Sequence, residues 1–319
     1  MTTDGQLNSP DVSVIICAHN PRQAYLQRTL DALRGQGLPK DKWEFILVDN
    51  ASSPPLADTV DLSWHPLARH VLERELGLSP ARLRGIAEAK GDLLVFVDDD
   101  NVLEPGYLSE TLRIAAEWPR LGAWGSGAII PEFELEPVDY IKPLIPYLAL
   151  RHVTKAAWTN VFPCVEATPW GAGLCIRRSV ADAYRQMSGA SEISISGRRG
   201  RQTLLSGDDV EICYVACDNG LGMGIFPELK LTHLIAKERV APQYLLKIFE
   251  GTSTSNFLLA YKWKGDIPKS PLRPWGLLSV LKNIVIQRGL DRQKYLASIR
   301  AAISARRIIR SAQQTDNRT

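Results

Sequence analysis

The chain has 319 residues, 45% hydrophobic and 23% charged, with a formal net charge of +3. That balance excludes disordered and fibrous classes and suffices for one large core with a smaller appendage. A charge so near neutrality also excludes a partner held by the overall field, so any charged partner must be met locally. Five cysteines (Cys17, Cys164, Cys175, Cys213, Cys217) form no C-x-x-C pair. Several sit in apolar strand-like or helical surroundings, where a thiol behaves as a small buried hydrophobe, and a reducing cytoplasm is expected. Residues 1–10 lack the charged-then-apolar order of a secretory signal, and no run reaches the roughly 18 apolar residues of a spanning helix. A soluble or peripherally bound protein is expected.

From the N-terminus, β-rich apolar runs alternate with helical patterns: residues 12–17, a helix near 23–34, then 43–48. That order predicts strands joined by crossover helices. A strand at 69–73 precedes Ser79-Pro80, which reads as an N-cap before a proline at the first helical position, opening a helix that runs through Ala89. Leu93-Leu-Val-Phe-Val97 has the unbroken apolarity of a central strand buried on both faces, and it ends in Asp98-Asp99-Asp100-Asn101. Glu104-Pro105 opens a helix to about Trp118. Residues 122–130 read as strand, 131–146 as a proline-rich stretch, 170–176 as strand and 178 onward as helix. Residues 188–206, rich in Ser, Gly and Arg, read as a mobile loop. A helix over 207–217, short strands at 223–226 and 229–235, and helices from Pro242 complete the chain. The fold class is α/β, with a sheet domain over 9–236 and a helical, basic extension over 237–319.

Three aspartates at the carboxyl end of a buried strand fit either of two situations. They decorate an exposed turn or a helix start, or they face the ligand crevice that lies outside strand ends in open α/β sheets, their repulsion relieved by Mg²⁺ or Mn²⁺. Asp208 and Asp209 open the helix after Gly207. They gain from its dipole without catalytic duty, or serve as a carboxylate able to take a proton from a hydroxyl. In Leu229-Lys-Leu-Thr-His-Leu-Ile235, period-two alternation turns His233 inward, as a core histidine or, if the strand ends beside the acidic run, as a metal ligand that favours Mn²⁺.

Together these segments resemble the family 2 glycosyltransferases of the GT-A fold, a Rossmann-like mixed sheet flanked by helices. The resemblance covers about residues 10–236 and rests on six motifs in order. Val12-Ser-Val-Ile-Ile-Cys-Ala-His-Asn20 is similar to the opening strand and donor loop, which assigns Ala18, His19 and Asn20 to the nucleotide. Glu44-Phe-Ile-Leu-Val-Asp-Asn-Ala-Ser52 resembles the strand whose last aspartate, here Asp49, binds the base. Gly77-Leu-Ser-Pro-Ala-Arg-Leu-Arg-Gly85 resembles the segment with a donor-binding arginine, here Arg82. Asp98-Asp99-Asp100 matches the D-x-D motif. Asp98 would lie near the ribose and Asp100 on the metal, with Asp99 taking that place if the frame shifts by one. Trp170-Gly-Ala-Gly173 is similar to the acceptor-side lining, which assigns Trp170, Gly171 and Ala172. Ser206-Gly-Asp-Asp-Val-Glu-Ile-Cys213 resembles the G-E-D-x-E-L signature, with Asp208 in place of its glutamate on the acceptor side and Asp209 as general base. His233 matches a histidine that completes the metal site. Ala18-His19 in place of Thr-Tyr and Leu83 in place of asparagine are departures that leave the donor open.

The resemblance implies an inverting, metal-dependent (Mn²⁺ or Mg²⁺) transfer from a nucleoside-diphosphate sugar, UDP-sugar favoured, to a glycan or lipid-linked acceptor. A sugar nucleotidyltransferase would instead open with a glycine-rich phosphate loop, where this chain has Cys17-Ala-His-Asn-Pro-Arg22. A non-catalytic binding relative would have no need of Asp209. The basic loop residues Arg198, Arg199 and Arg201 read as a solvated loop or a lid over phosphates. From Lys262 to Arg310, twelve Lys or Arg face two Asp or Glu among apolar clusters. That composition fits an appendage packed on the catalytic domain, a dimer contact, or a peripheral surface for anionic membrane. No nucleic-acid module accompanies the charge, so nucleic acid is not an expected partner.

Overall fold

The computed structural model describes residues 9–190, 205, 207–270 and 274–316. Arg198, Arg199 and Arg201, with most of the expected 188–206 loop, lie outside the described residues; residues 188–190 continue a helix.

The sheet has ten strands in two halves. β1 (Val12–Ala18) lies between β2 (Trp43–Asp49) and β4 (Leu93–Val97), parallel to both, and β3 (Ala68–Leu72) extends the parallel half beyond β2. Past β4 the directions mix. β9 (Leu174–Arg177) runs antiparallel to β4 and to β6 (Leu121–Phe133), and β10 (Gly222–Ile235) pairs parallel with β6. β5 (Asn101–Leu103) closes that edge antiparallel to β10, while β7 (Arg151–His152) and β8 (Ala157–Thr159) pair with β6 and β10.

Strand alternation decides which helix covers which face. Val12, Val14, Ile16, Phe45, Leu47, Val95 and Val97 pack on Leu26, Leu30 and Leu33 of α1 (Gln23–Arg34) and on Tyr107, Leu108 and Ile114 of α3 (Tyr107–Glu117). Ile15, Ile46, Val48, Leu94 and Phe96 pack on the opposite layer, formed by α2 (Leu78–Glu88), α4 (Arg178–Ala190) and α5 (Asp208–Asp218). The α/β architecture is therefore the one the residue pattern predicts, with both faces of the central strands buried.

Local differences have physical causes. α2 starts at Leu78 rather than after Ser79, because its N-cap is Gly77, whose N–H donates to Asn50 Oδ1 at 2.8 Å. Ser79 is inside the first turn and donates to Asp208 Oδ2 instead. The two short strands expected at 223–226 and 229–235 are one strand, β10, whose register slips between Phe226 and Lys230. The proline-rich stretch holds a 3₁₀ helix, Asp139–Leu148, whose Ile141, Leu144 and Leu148 are buried.

α6 (Pro242–Lys264) packs its first half on that 3₁₀ helix through Leu245 and Ile248. Its second half meets α5 through a ring cluster of Phe162, Tyr214 and Trp263. α8 (Gly289–Asp316) buries Ala297, Ala301, Ala305 and Ile309, an i, i+4 stripe of mostly small residues, and packs along α6. α7 (Pro274–Ile286) contacts α8. Among the described residues no helix is long and apolar enough to cross a membrane.

Candidate active site

The acidic run leaves the carboxyl end of β4 and enters β5 within four residues, so β5 fixes what the run faces. Pairing of β5 with β10 sets Asn101 opposite His233, and the Leu234 N–H donates to the Asp100 carbonyl at 2.9 Å. This register brings His233 Nε2 to 3.4 Å from Asp100 Oδ2. The other carboxylate oxygen, Oδ1, accepts from Asn101 Nδ2 at 2.9 Å. Arg239, in the 3₁₀ turn Lys237–Val240, places Nη1 2.7 Å from Asp100 Oδ2 and 3.1 Å from His233 Nε2. A guanidinium only donates, so in this contact Nε2 is the accepting atom.

A second cluster forms where α2 meets α5. Arg82 is buried, with Nη1 2.8 Å from Asp208 Oδ2 and Nη2 3.9 Å from Asp98 Oδ1. Burial works against its charge, but Asp208, Asp98 and Asp209 outweigh that and hold it firmly protonated. The Asp98 side chain is 40% exposed and that of Asp208 only 1%, so Asp98 opens to solvent while Asp208 anchors Arg82 from beneath. Cys17, at the end of β1, borders the same cluster, and burial pushes its thiol up to about 12.

Asp209 stands at the rim. Its Oδ2 accepts from the Gly171 N–H at 2.7 Å and its Oδ1 from the Val210 N–H at 2.9 Å. Burial, and then the neighbouring Asp208, raise its pKa above the ordinary carboxylate value; Arg82 and the two N–H donors only partly oppose them. A Cβ at position 171 would come 2.5 Å from Arg82 Nη2, so any larger residue there would have to displace the guanidinium. Beside it Trp170 carries the Arg151 guanidinium carbon over its ring, 3.7 Å from the centroid, and Ala172 is buried. Tyr107 Oη donates to the Gly173 carbonyl at 2.6 Å and steadies this loop from below.

The β1 and β2 ends form the third part. Ala18 is buried opposite Asp49, while His19 and Asn20 are exposed. His19 Nδ1 donates to the Asn50 carbonyl at 2.7 Å, and Asn20 Nδ2 donates to His19 Nε2 at 3.1 Å. Asp49 accepts from the Ser52 and Leu56 N–H groups, each at 2.8 Å. Burial would raise its pKa, but these donors lower it.

Among the described residues no group of three or more His, Cys, Asp and Glu side chains is gathered for a metal ion. Asp100 and His233 offer one oxygen and one nitrogen, a donor pair that fits Mn²⁺ or Mg²⁺ if phosphate and water complete the shell.

Residues 13–164 match the family model described as glycosyl transferase family 2. That stretch, just under half of the chain, is similar to the family. The match ends before Trp170, so the α5 cluster and His233 lie beyond it. The human polypeptide N-acetylgalactosaminyltransferase 15 is 27% identical over 245 residues, 70% of this chain and 36% of that protein. The undecaprenyl-phosphate 4-deoxy-4-formamido-L-arabinose transferase of Pectobacterium carotovorum is 31% identical over 114 residues, 34% of each. The aligned stretch thus spans about a third of these relatives' length. Residues 1–349 of TarS from S. aureus share the fold: TM-score 0.52, 12% identity, covering 93% of this chain and 82% of that one. This likeness supports the GT-A architecture.

Reading the residues alone missed Arg239, Arg151 and the ion pair between Glu211 and Lys262. For Arg239 the only available signal was a basic residue six places after an inward-facing histidine at a strand end.

Proposed function

We propose that the chain transfers a sugar from a nucleoside-diphosphate sugar, UDP-sugar favoured, to a hydroxyl of a glycan or lipid-linked acceptor, with inversion at the anomeric carbon. The observation that carries this reading is the buried guanidinium of Arg82, ion-paired with Asp208 and facing Asp98. It joins the acidic run to the helix that opens with Asp208 and Asp209, so a phosphate-facing edge and a proton acceptor belong to one cluster.

In this reading His19, Asn20 and Asp49 meet the nucleoside, and Asp98 and Asp99 border the ribose and phosphates. Asp100 and His233 hold Mn²⁺ or Mg²⁺, which when bound would neutralise charge on the departing diphosphate. Asp209 takes the acceptor proton. Its raised pKa makes it a stronger base than an ordinary carboxylate, and the Gly171 and Val210 N–H groups fix its orientation. Trp170 with Arg151 lines the acceptor side. A single displacement with one base requires inversion, so NMR of the product's anomeric configuration tests the proposal. Retention of configuration, or no release of nucleoside diphosphate from any nucleotide sugar offered with Mn²⁺, would refute it.

We propose in addition that α7 meets an anionic lipid surface. Its Leu281, Val285 and Ile286 are exposed beside the exposed cations Lys282 and Arg288, whereas the apolar stripe of α8 is already covered by α6.

A further inference from the structure

We infer that Arg239 is an internal counter-ion that holds the Asp100–His233 pair closed to a free divalent cation and gives it up when nucleoside diphosphate arrives with the cation. This inference rests on the reading above that Asp100 and His233 ligate metal.

The competition follows from valence. An accepting imidazole nitrogen has one lone pair, and His233 Nε2 lies 3.1 Å from Arg239 Nη1, a group that only donates. The same Nη1 donates to Asp100 Oδ2 at 2.7 Å, while Asp100 Oδ1 takes the Asn101 amide. Nε2 cannot serve a guanidinium and a cation together, so one must leave. Charge acts in the same direction. Arg239 Nη1 lies 2.7 Å from Asp100 Oδ2, so that carboxylate already has a cation against it. A divalent ion approaching that carboxylate alone would meet an arginine it must first expel into a poorer setting.

Two features let the side chain move without unravelling its backbone. The 3₁₀ turn is held independently: Arg22 Nη2 pairs with Glu238 at 2.6 Å, the Lys237 N–H donates to Glu134 Oε2 at 3.0 Å, and Val240 is buried. Arg239 Nε, moreover, is buried with no hydrogen-bond partner among the described residues. A buried donor left unsatisfied is costly, and a phosphate oxygen is the strong acceptor it lacks. A diphosphate therefore supplies both the remaining anionic ligands for the cation and a new partner for the guanidinium. Cation and nucleotide bind cooperatively, and the coupling is reciprocal.

The test reads Mn²⁺ binding rather than turnover. Free Mn²⁺ is titrated against wild type, Arg239→Gln, Arg239→Lys and Asp100→Asn and followed by electron paramagnetic resonance, with and without UDP. In wild type, UDP should tighten Mn²⁺ by roughly 5- to 150-fold, the usual span of such coupling. Arg239→Gln should bind Mn²⁺ alone more tightly than wild type, bind UDP more weakly, and lose most of the coupling. Arg239→Lys keeps a cation in place if the glutamine variant does not fold, and should fall between the two. Unchanged Mn²⁺ affinity and coupling in the arginine variants, with binding abolished by Asp100→Asn, would overturn the inference and leave the metal site intact. No Mn²⁺ binding to wild type or either arginine variant, with or without UDP, would remove the metal-site reading itself.

Discussion

Lys262, near the end of α6, places Nζ 2.6 Å from Oε1 of Glu211, one turn into the helix that opens with Asp208 and Asp209. The helical region beyond residue 236 is thereby tied to the element carrying the proposed base. Burial raises the Glu211 pKa, and Lys262 pulls it back toward its ordinary value.

Lys262→Met should strand that carboxylate, whose side chain is 4% exposed, and destabilise the protein by about 3 kcal/mol. A raised carboxyl pKa favours the folded state at low pH and loses that advantage as pH rises through it. The Tm deficit of the variant should therefore be small in acid and full at neutral pH. Thermal melts across the acid-to-neutral range read this directly, and a deficit constant with pH would contradict it.

Asp209→Asn should lower kcat by about 10²- to 10⁴-fold while leaving UDP affinity nearly unchanged. Because burial and Asp208 raise the Asp209 pKa, the acid limb of kcat/KM in the wild type should sit above the ordinary carboxylate range. The variant should also lose no stability at neutral pH, where the native carboxylate is charged in a site that disfavours charge. Steady-state kinetics against pH, with melts in parallel, check all three statements.

Glu44 binds three elements at once. It accepts from Ser13 Oγ at 2.6 Å, from Arg69 Nη1 at 2.7 Å and from the Lys90 N–H. Burial would raise its pKa, yet these donors lower it overall. Its stabilisation is thus complete above the ordinary carboxylate pKa and is lost as pH falls through the depressed one. Glu44→Ala should cost about 3 kcal/mol at neutral pH and less in strong acid, with donor binding intact wherever the protein remains folded. Urea titrations at two pH values measure the difference.

Flotation with anionic and with neutral liposomes tests α7. Wild type should float with the anionic vesicles at low salt and be released by salt, and Val285→Asp with Ile286→Asp should stay at the bottom. Absence of flotation at low salt would sink the lipid contact.

The parallel half of the sheet was legible because Val12 to Cys17, Trp43 to Val48 and Leu93 to Val97 are apolar enough to be covered on both sides. The inward face of His233 followed from alternation alone. What was not legible is set by partners distant in sequence. β5 has three residues and no apolar run of its own, and it exists because β10 offers it hydrogen bonds. The start of α2 depends on Asn50, an amide in another loop. The 3₁₀ helix Asp139–Leu148 was hidden by Pro143 and Pro146, which interrupt the helical pattern that Ile141, Leu144 and Leu148 would otherwise carry. Arg239 was passed over because its meaning lies in the register that sets Asn101 against His233, and no local pattern encodes that register.

The short β5 ladder also bears on how the site is assembled and lost. Asp100 and His233 are far apart in the chain and meet at a sheet margin through three residue pairs, Leu231 with Leu103, Thr232 with Val102 and His233 with Asn101. Edge pairings this brief open at a lower free energy than a central ladder. Fraying of that margin would part Asp100 from His233 while β1, β2 and β4 stayed folded. The protein would then keep its nucleoside-facing loops in place and lose its cation-holding pair, so amide exchange at residues 101–103 should outpace exchange in β4.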